Sequence, residues 1–124
     1  IWWLEFRRVL FRSFINAKTF KNIETIKSKG GKILSIGTTT LRALESAAID
    51  ISLINKWSST TLFIKENFEF KIADCLLTNF HLPKSTLLIL VSAFLGYELT
   101  MKCYEIAIKE KMRFYSYGDA MLIL

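Results

Sequence analysis

The residues best suited to chemistry lie together in residues 78–86, which read TNFHLPKST and contain the only His and the only Pro of the chain. The imidazole of His81 can give or take a proton near neutral pH, and the amide of Asn79 can hydrogen-bond a purine or ribose edge. Thr78 adds a hydroxyl, and Lys84 can reach an anion. A lone His is more often structural, so a functional and a structural interpretation both stay open.

Apolar runs on both sides predict that this stretch connects a strand to a helix. Residues 72–77 predict a strand entering the interior, and residues 87–91 predict a buried helix. Pro83 would fix the backbone where the helix begins, and Ser85 or Thr86 would cap it. Ligands of α/β domains meet the sheet at the carboxyl ends of strands and the amino ends of helices. We therefore expect the polar cluster to face a ligand.

A second candidate site follows another predicted strand. Residues 32–36 predict a short buried strand, residues 37–40 a turn, and residues 41–49 a helix. Free backbone N–H groups and the hydroxyls of Thr38 and Thr39 would converge on a ligand at the start of this helix.

Arg42 would place a cation in the first turn of that helix, where it opposes the helix dipole. A bound carboxylate or phosphate would explain this position. The alternative is that the threonines only cap the helix and that Arg42 pairs with Glu45 three residues later. Composition alone favours this alternative.

Two aspartates are further candidates. Asp74 interrupts an apolar run, where a buried carboxylate is unfavourable unless it is paired or hydrogen-bonded. A catalytic or ligand role and a structural capping role suit it equally. Asp119 follows Gly118 in a predicted turn after a strand at residues 113–117. It could face the same site or form an Asx-turn.

The remaining pattern predicts alternating helices and strands. An amphipathic helix at residues 16–29 ends at a Gly pair, one member of which would be left-handed. Strands are predicted at residues 60–64 and 68–72, with a turn in which Asn67 adopts positive φ. A helix at residues 86–95 is apolar nearly all round, so it would lie inside the core, and it would end at Gly96. A second helix at residues 98–112 would have a solvent-exposed outer face.

Length and composition predict one domain with a core, since the chain has 124 residues of which 52% are hydrophobic. The two Cys residues have no CxxC spacing and only one His to join them, which predicts a reducing cytosol without a metal site or disulfide. No stretch approaches the roughly 18 apolar residues of a membrane span, and no cleavable signal is evident. We expect a cytoplasmic monomer.

The net charge of +6 is concentrated near the start of the chain. Residues 1–32 contain eight of the 17 basic residues and two of the 11 acidic residues. Such an excess could favour nucleic acid, although solvated surface charge is its commoner meaning. Residues 1–13 fit neither helical nor strand periodicity and are interpreted as a leader, foreign to the domain, or the end of a strand from a lost portion. The missing initiator Met predicts a fragment or a processed product, with residues 14–124 belonging to the domain.

Three blocks resemble the S-adenosylmethionine:tRNA ribosyltransferase-isomerases of queuosine biosynthesis. They are residues 36–47 (IGTTTLRALESA), 76–94 (LLTNFHLPKSTLLILVSAF) and 113–123 (RFYSYGDAMLI). Their order and spacing also match, and weaker similarity extends over residues 16–124. Two positions depart from the family pattern: Glu66 and Asn67 replace a usual Gly, and Tyr97 stands where a basic residue is usual.

The resemblance implies an α/β fold with a mixed sheet flanked by helices, in a domain that carries an inserted β-barrel. This chain resembles the carboxyl-terminal third, without the barrel. The implied reaction transfers the ribosyl part of S-adenosylmethionine to 7-aminomethyl-7-deazaguanine at the tRNA wobble position. It gives epoxyqueuosine and releases adenine and methionine. The resemblance implies no metal. It implies no cofactor either, because S-adenosylmethionine is consumed as a co-substrate. The implied partner is tRNA.

This chemistry needs a base for the acidic C–H beside the sulfonium, an acid for the departing adenine, and groups that bind anions. The resemblance implies His81 as the acid or base and Asp74 or Asp119 as its partner or the sulfonium counter-charge. Arg42 and Lys84 would contact anions. The implied positioning residues are Thr38, Thr39, Thr78, Asn79, Ser116 and Tyr117. The alternative functions are a non-catalytic RNA-binding module and an inactive fragment.

Overall fold

The computed structural model describes residues 12–82, 85–115 and 117–124. Four helices and five strands make up these ranges, together with a short 3₁₀ turn at Ile51–Leu53. The helices are α1 (Ala17–Ser28), α2 (Thr38–Ile49), α3 (Thr86–Leu95) and α4 (Tyr97–Lys109). The strands are β1 (Arg12–Ser13), β2 (Leu34–Ile36), β3 (Ser58–Ser59), β4 (Cys75–Asn79) and β5 (Ala120–Ile123).

The main sheet is mixed and has the strand order β2-β4-β5. Strand β2 runs parallel to β4, with Ser35 opposite Leu76, whereas β5 runs antiparallel to β4, with Ala120 opposite Asn79. The expected α/β fold with a mixed sheet flanked by helices is confirmed. A separate antiparallel pair joins β1 to β3. The predicted leader at residues 1–13 lies outside the described residues except for the two residues of β1, and its boundary stays a prediction.

Local signals account for the ends of the helices. The side chain of Asn16 accepts a hydrogen bond from Thr19 N at the start of α1, and Gly30 follows the helix with φ of +81°. Ser85 Oγ accepts from Leu88 N at the start of α3. Gly96, with φ of +98°, separates α3 from α4, because only glycine adopts this backbone region readily. The predicted left-handed Gly and the positive φ of Asn67 are confirmed.

One face of the sheet carries the main core. Leu76 and Ile123 pack there with Leu41 of α2 and with Leu90 and Val91 of α3. A second cluster joins α1 to α2 through four apolar side chains: Phe20, Ile23, Leu44 and Ala47. Burial of these apolar surfaces supplies the main favourable free energy of such a core.

The strand predicted at residues 32–36 is not buried on both faces, because its side chains on the opposite face of the sheet are exposed. Leu34 and Ile36 are 46% and 64% exposed, and Leu122 of β5 is 53% exposed, whereas Ser35 is buried. Alternating side chains of a strand point to opposite faces, so these leucine and isoleucine side chains share one face, which is covered at Cys75 and exposed at these three positions. Helix α3 is likewise not buried all round, because Ile89 is 40% exposed.

Three predicted strands are wrong. Residues 60–64, 68–72 and 113–117 are not strands where the structure describes them. The segment at residues 60–73 instead bonds to side chains of α2, since Arg42 donates to two of its carbonyls and Glu45 accepts from three of its N–H groups. Tyr115 has φ of +59°, which is incompatible with an extended strand there. The last strand is β5.

Within the described ranges, no single helix has the length and apolarity to cross a membrane. Helices α3 and α4 pass that test only as a pair, across a 117° bend.

Candidate functional site at the carboxyl edge of the sheet

The carboxyl ends of β2 and β4 meet at one edge of the sheet because the two strands are parallel. Gly37 N donates to Leu77 O at 2.8 Å, which places the start of α2 beside the end of β4. Asn79 is paired with Ala120, so the residue before β5 reaches the same edge. This edge therefore brings together Thr38, Thr39, Thr78, Asn79, His81 and Asp119.

The His81 segment is held on both its ring and its backbone. His81 Nε2 lies 2.9 Å from Thr78 Oγ1, and His81 N donates to the hydroxyl of Tyr104 at 2.9 Å. Thr78 and Tyr104 are buried, whereas His81 is half-buried. Burial raises the pKa of Tyr104, and the hydrogen bond from His81 N acts in the opposite direction. The imidazole is thus oriented by buried groups and still reaches the surface, as a proton-transfer group requires.

Asp119 sits beside this segment but uses its carboxylate within its own loop. Asp119 Oδ2 accepts from Arg113 N and lies 3.5 Å from Arg113 Nε, while its backbone oxygen accepts from Asn79 Nδ2 at 3.2 Å. Tyr115 N also donates to Phe80 O at 2.9 Å. These bonds attach the loop to the end of β4, but the carboxylate bonds six residues back along the chain, so it does not form the predicted Asx-turn. The role of Asp119 at the site stays a prediction. Tyr117 of this loop is 67% exposed.

The start of α2 keeps its backbone donors available to a ligand. Gly37 has φ of +91° and ψ of 149°, and no side-chain hydrogen bond caps the helix, so the interpretation of Thr38 and Thr39 as caps is wrong. Thr38 is buried and Thr39 is exposed. An uncapped helix start favours a negatively charged group through its free N–H groups and its dipole.

Arg42 does not pair with Glu45, so that predicted alternative is also wrong. Arg42 Nε donates to Leu62 O at 3.2 Å and Nη2 donates to Thr60 O at 3.4 Å. Desolvation lowers the pKa of Arg42. These contacts give Arg42 a structural role between α2 and residues 60–62, and its contact with an anion stays a prediction.

Asp74 lies at the opposite end of β4 from His81. It precedes the strand, and Thr78 stands four residues later, or about 13 Å along an extended chain. Its carboxylate accepts from Ile33 N at 2.8 Å and pairs with Lys27 Nζ at 2.9 Å. The pKa of Asp74 is lowered, most strongly by the hydrogen bond from Ile33 N and next by the hydrogen bond from Lys27. The structure does not bring Asp74 to the other candidates, and its contacts agree with the structural alternative.

Three predicted residues lie outside the described residues: Pro83, Lys84 and Ser116. The implied anion contact of Lys84 and the positioning role of Ser116 stay predictions.

Sequence reasoning missed the role of Glu45, which it considered only as a partner of Arg42. Glu45 is 0% exposed, and its carboxyl oxygens accept from the backbone N–H groups of Lys71, Ile72 and Ala73 at 2.8, 3.0 and 2.9 Å. The available signal was its position four residues after Leu41, on the core-facing side of α2. Glu45 holds the segment that leads into β4.

Cys75 and Cys103 are free thiols. In the part of the chain that the structure describes, no group of three His, Cys, Asp or Glu side chains could hold a metal ion.

Comparisons with known proteins cover nearly the whole chain. A family model described as "Queuosine biosynthesis protein" matches residues 12–123. An S-adenosylmethionine:tRNA ribosyltransferase-isomerase of Halothermothrix orenii is 50% identical over 113 residues, which are 89% of this chain and 33% of that protein. A protein of the same name from Polynucleobacter asymbioticus is 51% identical over 109 residues, or 88% of this chain and 30% of that protein.

A solved structure gives the same result in three dimensions. The crystal structure of an S-adenosylmethionine tRNA ribosyltransferase from Thermotoga maritima matches with a TM-score of 0.82 at 45% identity. The match covers 89% of this chain and 39% of that one. This chain spans about one third of the length of the curated relatives it matches.

Proposed function

Since the chain belongs to the queuosine biosynthesis protein family, we propose that it forms part of the active site of an S-adenosylmethionine:tRNA ribosyltransferase-isomerase. The resemblance seen in the three sequence blocks is confirmed by the family match and by relatives that carry this enzyme name. The proposed reaction moves the ribosyl part of S-adenosylmethionine to 7-aminomethyl-7-deazaguanine at the tRNA wobble position. The product is epoxyqueuosine, with release of adenine and methionine, and the proposed location is the cytoplasm.

The observation that carries this proposal is the meeting of the family blocks at the carboxyl edge of the sheet. The first block supplies the start of α2, the second supplies Thr78 to His81, and the third supplies Asp119 beside Asn79. Residues from three separate parts of the chain thus lie at one edge of the sheet. A ligand there would meet a proton-transfer group and the positive end of a helix together.

His81 is the proposed acid or base of the reaction. Its ring contacts Thr78 Oγ1, and its backbone N–H contacts the buried Tyr104 hydroxyl. A ring oriented in this way can remove the acidic proton beside the sulfonium or protonate the departing adenine. The uncapped start of α2 is the proposed binding site of an anionic group, either the methionine carboxylate or a tRNA phosphate.

Adenine release from S-adenosylmethionine tests the proposal. The substrate is an anticodon stem-loop that carries 7-aminomethyl-7-deazaguanine, and the assay is run with and without this RNA. We would test this chain and a chimera in which the remaining two thirds of the Halothermothrix orenii relative are joined to it. RNA-dependent release by either protein supports the proposal, and absence of release from a folded chimera contradicts it.

Variants of the chimera separate the contributions of the site. His81→Ala is expected to lower the rate by roughly 100-fold or more, a typical contribution of general acid–base catalysis. Thr78→Val should lower it less, because it removes a contact of the ring and leaves the ring itself. Thr25→Val on the exposed face of α1 is the matched control. An unchanged rate in His81→Ala would remove His81 from the mechanism.

The RNA-binding alternative draws on the exposed lysines of α1 and the following turn, including Lys18, Lys21, Lys29 and Lys32. A pure RNA binder would lose affinity steeply with salt and ignore S-adenosylmethionine. Binding of S-adenosylmethionine without RNA separates the two functions.

A further inference from the structure

A partly open groove runs along α3 and the first turns of α4. Its volume is about 740 Å³, within the range of about 300–1,000 Å³ that small-molecule sites occupy. Ser85, which caps α3, lines the groove together with Ile89 and Ser92 of α3. Ser85 N donates to Leu82 O at 3.2 Å, so one end of the groove adjoins the segment that contains His81. One end of the groove is therefore formed by a residue four positions after His81 in the chain.

The ring of Phe68 forms one wall of the groove, and a neighbouring aromatic ring packs against it. Phe68 contacts Phe70 edge to face with centroids 4.9 Å apart, and Phe70 contacts Phe94 in the same way at 4.8 Å. Tyr97, which is 69% exposed, lines the groove from α4. Aromatic rings at a mostly apolar groove suit a planar aromatic ligand, because stacking buries both surfaces.

The charge of the groove restricts the ligand further. Among its described lining residues, Glu66 is the one charged side chain. A carboxylate repels phosphates and carboxylates but accepts hydrogen bonds from hydroxyls such as those of a ribose. Asn67, Ser85 and Ser92 add polar groups at the surface of the groove. These groups suit a neutral or cationic ligand that combines an aromatic base with hydroxyls.

We propose that this groove binds the adenosyl part of S-adenosylmethionine. The adenine lies against Phe68, the ribose hydroxyls face Glu66, and the sulfonium end points toward Ser85 and the segment that contains His81. This inference rests on the proposed function, which supplies S-adenosylmethionine as the substrate. The methionine carboxylate lies outside the groove, where the start of α2 offers a more suitable partner.

Amide chemical shifts of this chain provide the direct test. The probes are S-adenosylmethionine, 5′-methylthioadenosine and methionine, added separately to ¹⁵N-labelled protein. The first two share the adenosyl part and should shift the amides of Asn67, Ser92 and Gly96. Methionine should leave these amides unchanged. Shifts caused by methionine, or binding of the first two that leaves these amides unchanged, would overturn the proposal.

Two variants with matched controls measure the contribution of the groove to affinity. Ser92→Phe fills the groove and should weaken binding of 5′-methylthioadenosine by about tenfold or more, equivalent to ~1.4 kcal/mol. Ser28→Phe makes the same change on the exposed surface of α1 and should have no effect. Glu66→Gln should weaken binding severalfold, whereas Glu69→Gln, outside the groove, should not. Spectra of each variant establish that it is folded.

The outcomes separate this proposal from the proposed function. If the chimera releases adenine and Ser92→Phe leaves its KM for S-adenosylmethionine unchanged, the groove assignment fails and the proposed function stands. If the chimera releases adenine but neither adenosyl compound shifts the amides of Asn67, Ser92 and Gly96, the groove assignment likewise fails and the proposed function stands. Absence of adenine release from the folded chimera is the separate result that contradicts the proposed function.

Discussion

Replacing Glu45 by Gln tests whether this buried carboxyl group holds the segment that leads into β4. One oxygen, Oε1, accepts from Ile72 N and Ala73 N, and the other, Oε2, accepts from Lys71 N at 2.8 Å. A Gln side chain keeps one oxygen, which can serve Ile72 and Ala73. Its NH₂ group then faces the N–H of Lys71, and two donors meet.

The expected loss of stability follows from this count of hydrogen bonds. One fully buried N–H that loses its acceptor costs about 1–3 kcal/mol, and the Lys71 N–H is only partly buried, so Glu45→Gln should lower the free energy of unfolding by about 1–2 kcal/mol. Glu45→Ala leaves three donors unpaired and should cost about 3 kcal/mol or more. A domain has roughly 5–15 kcal/mol in total, so the Gln variant should stay folded while the Ala variant approaches the limit.

Urea unfolding followed by far-UV circular dichroism measures the change. Glu24→Gln is the matched control, because Glu24 lies on the exposed surface of α1 and its replacement should change stability by less than about 0.5 kcal/mol. Hydrogen exchange should also quicken at the amide of Lys71. Equal stabilities of the Glu45→Gln and Glu24→Gln proteins would refute the reasoning.

Three further predictions concern the elements around the site. Asp74→Asn should cost more stability at about pH 6 than at about pH 2. The pKa of Asp74 is lowered in the folded protein, so its carboxylate stabilises the fold above the ordinary pKa of about 3.9, and this contribution is lost as pH falls through the folded pKa. Urea titrations at both pH values check the prediction, and a difference in stability that does not depend on pH contradicts it. Gly37→Ala should destabilise by about 1–3 kcal/mol, because a Cβ is strained at φ of +91° and ψ of 149°; a thermal midpoint equal to that of the parent protein would argue against this strain. Ser85→Ala should cost about 1 kcal/mol by removing the cap of Leu88 N, with Ser28→Ala as the exposed control in the same unfolding assay.

Local sequence signals predicted much of the fold. The cap predicted at Ser85 or Thr86 is Ser85, the left-handed member of the Gly pair is Gly30, and Asn67 has the predicted positive φ. These features depend on residues a few positions apart, for which periodicity and side-chain type are sufficient. The strands at residues 60–64 and 68–72 were predicted wrongly because their partners lie on α2, up to 28 residues away.

In the candidate site, too, features set by neighbouring residues were predicted and features set by distant residues were not. The clustering of His81, Thr78 and Asn79 was predicted because these residues are neighbours in the chain. The placement of Asp74 at the far end of β4 was not, since the predicted strand at residues 72–77 begins before it and the observed strand begins after it. The bonds of Asp74 with Lys27 and Ile33 span 47 and 41 residues.

The sequence by itself determined the family, the helices and the polar stretch that contains His81, because each is written in contiguous residues. Only the tertiary structure decided which strand ends meet, which oxygens Glu45 offers to which amides, and that a groove of about 740 Å³ opens beside α3. The physical reason is that these features depend on hydrogen bonds and packing between distant segments, and such contacts leave no periodic signal in the sequence.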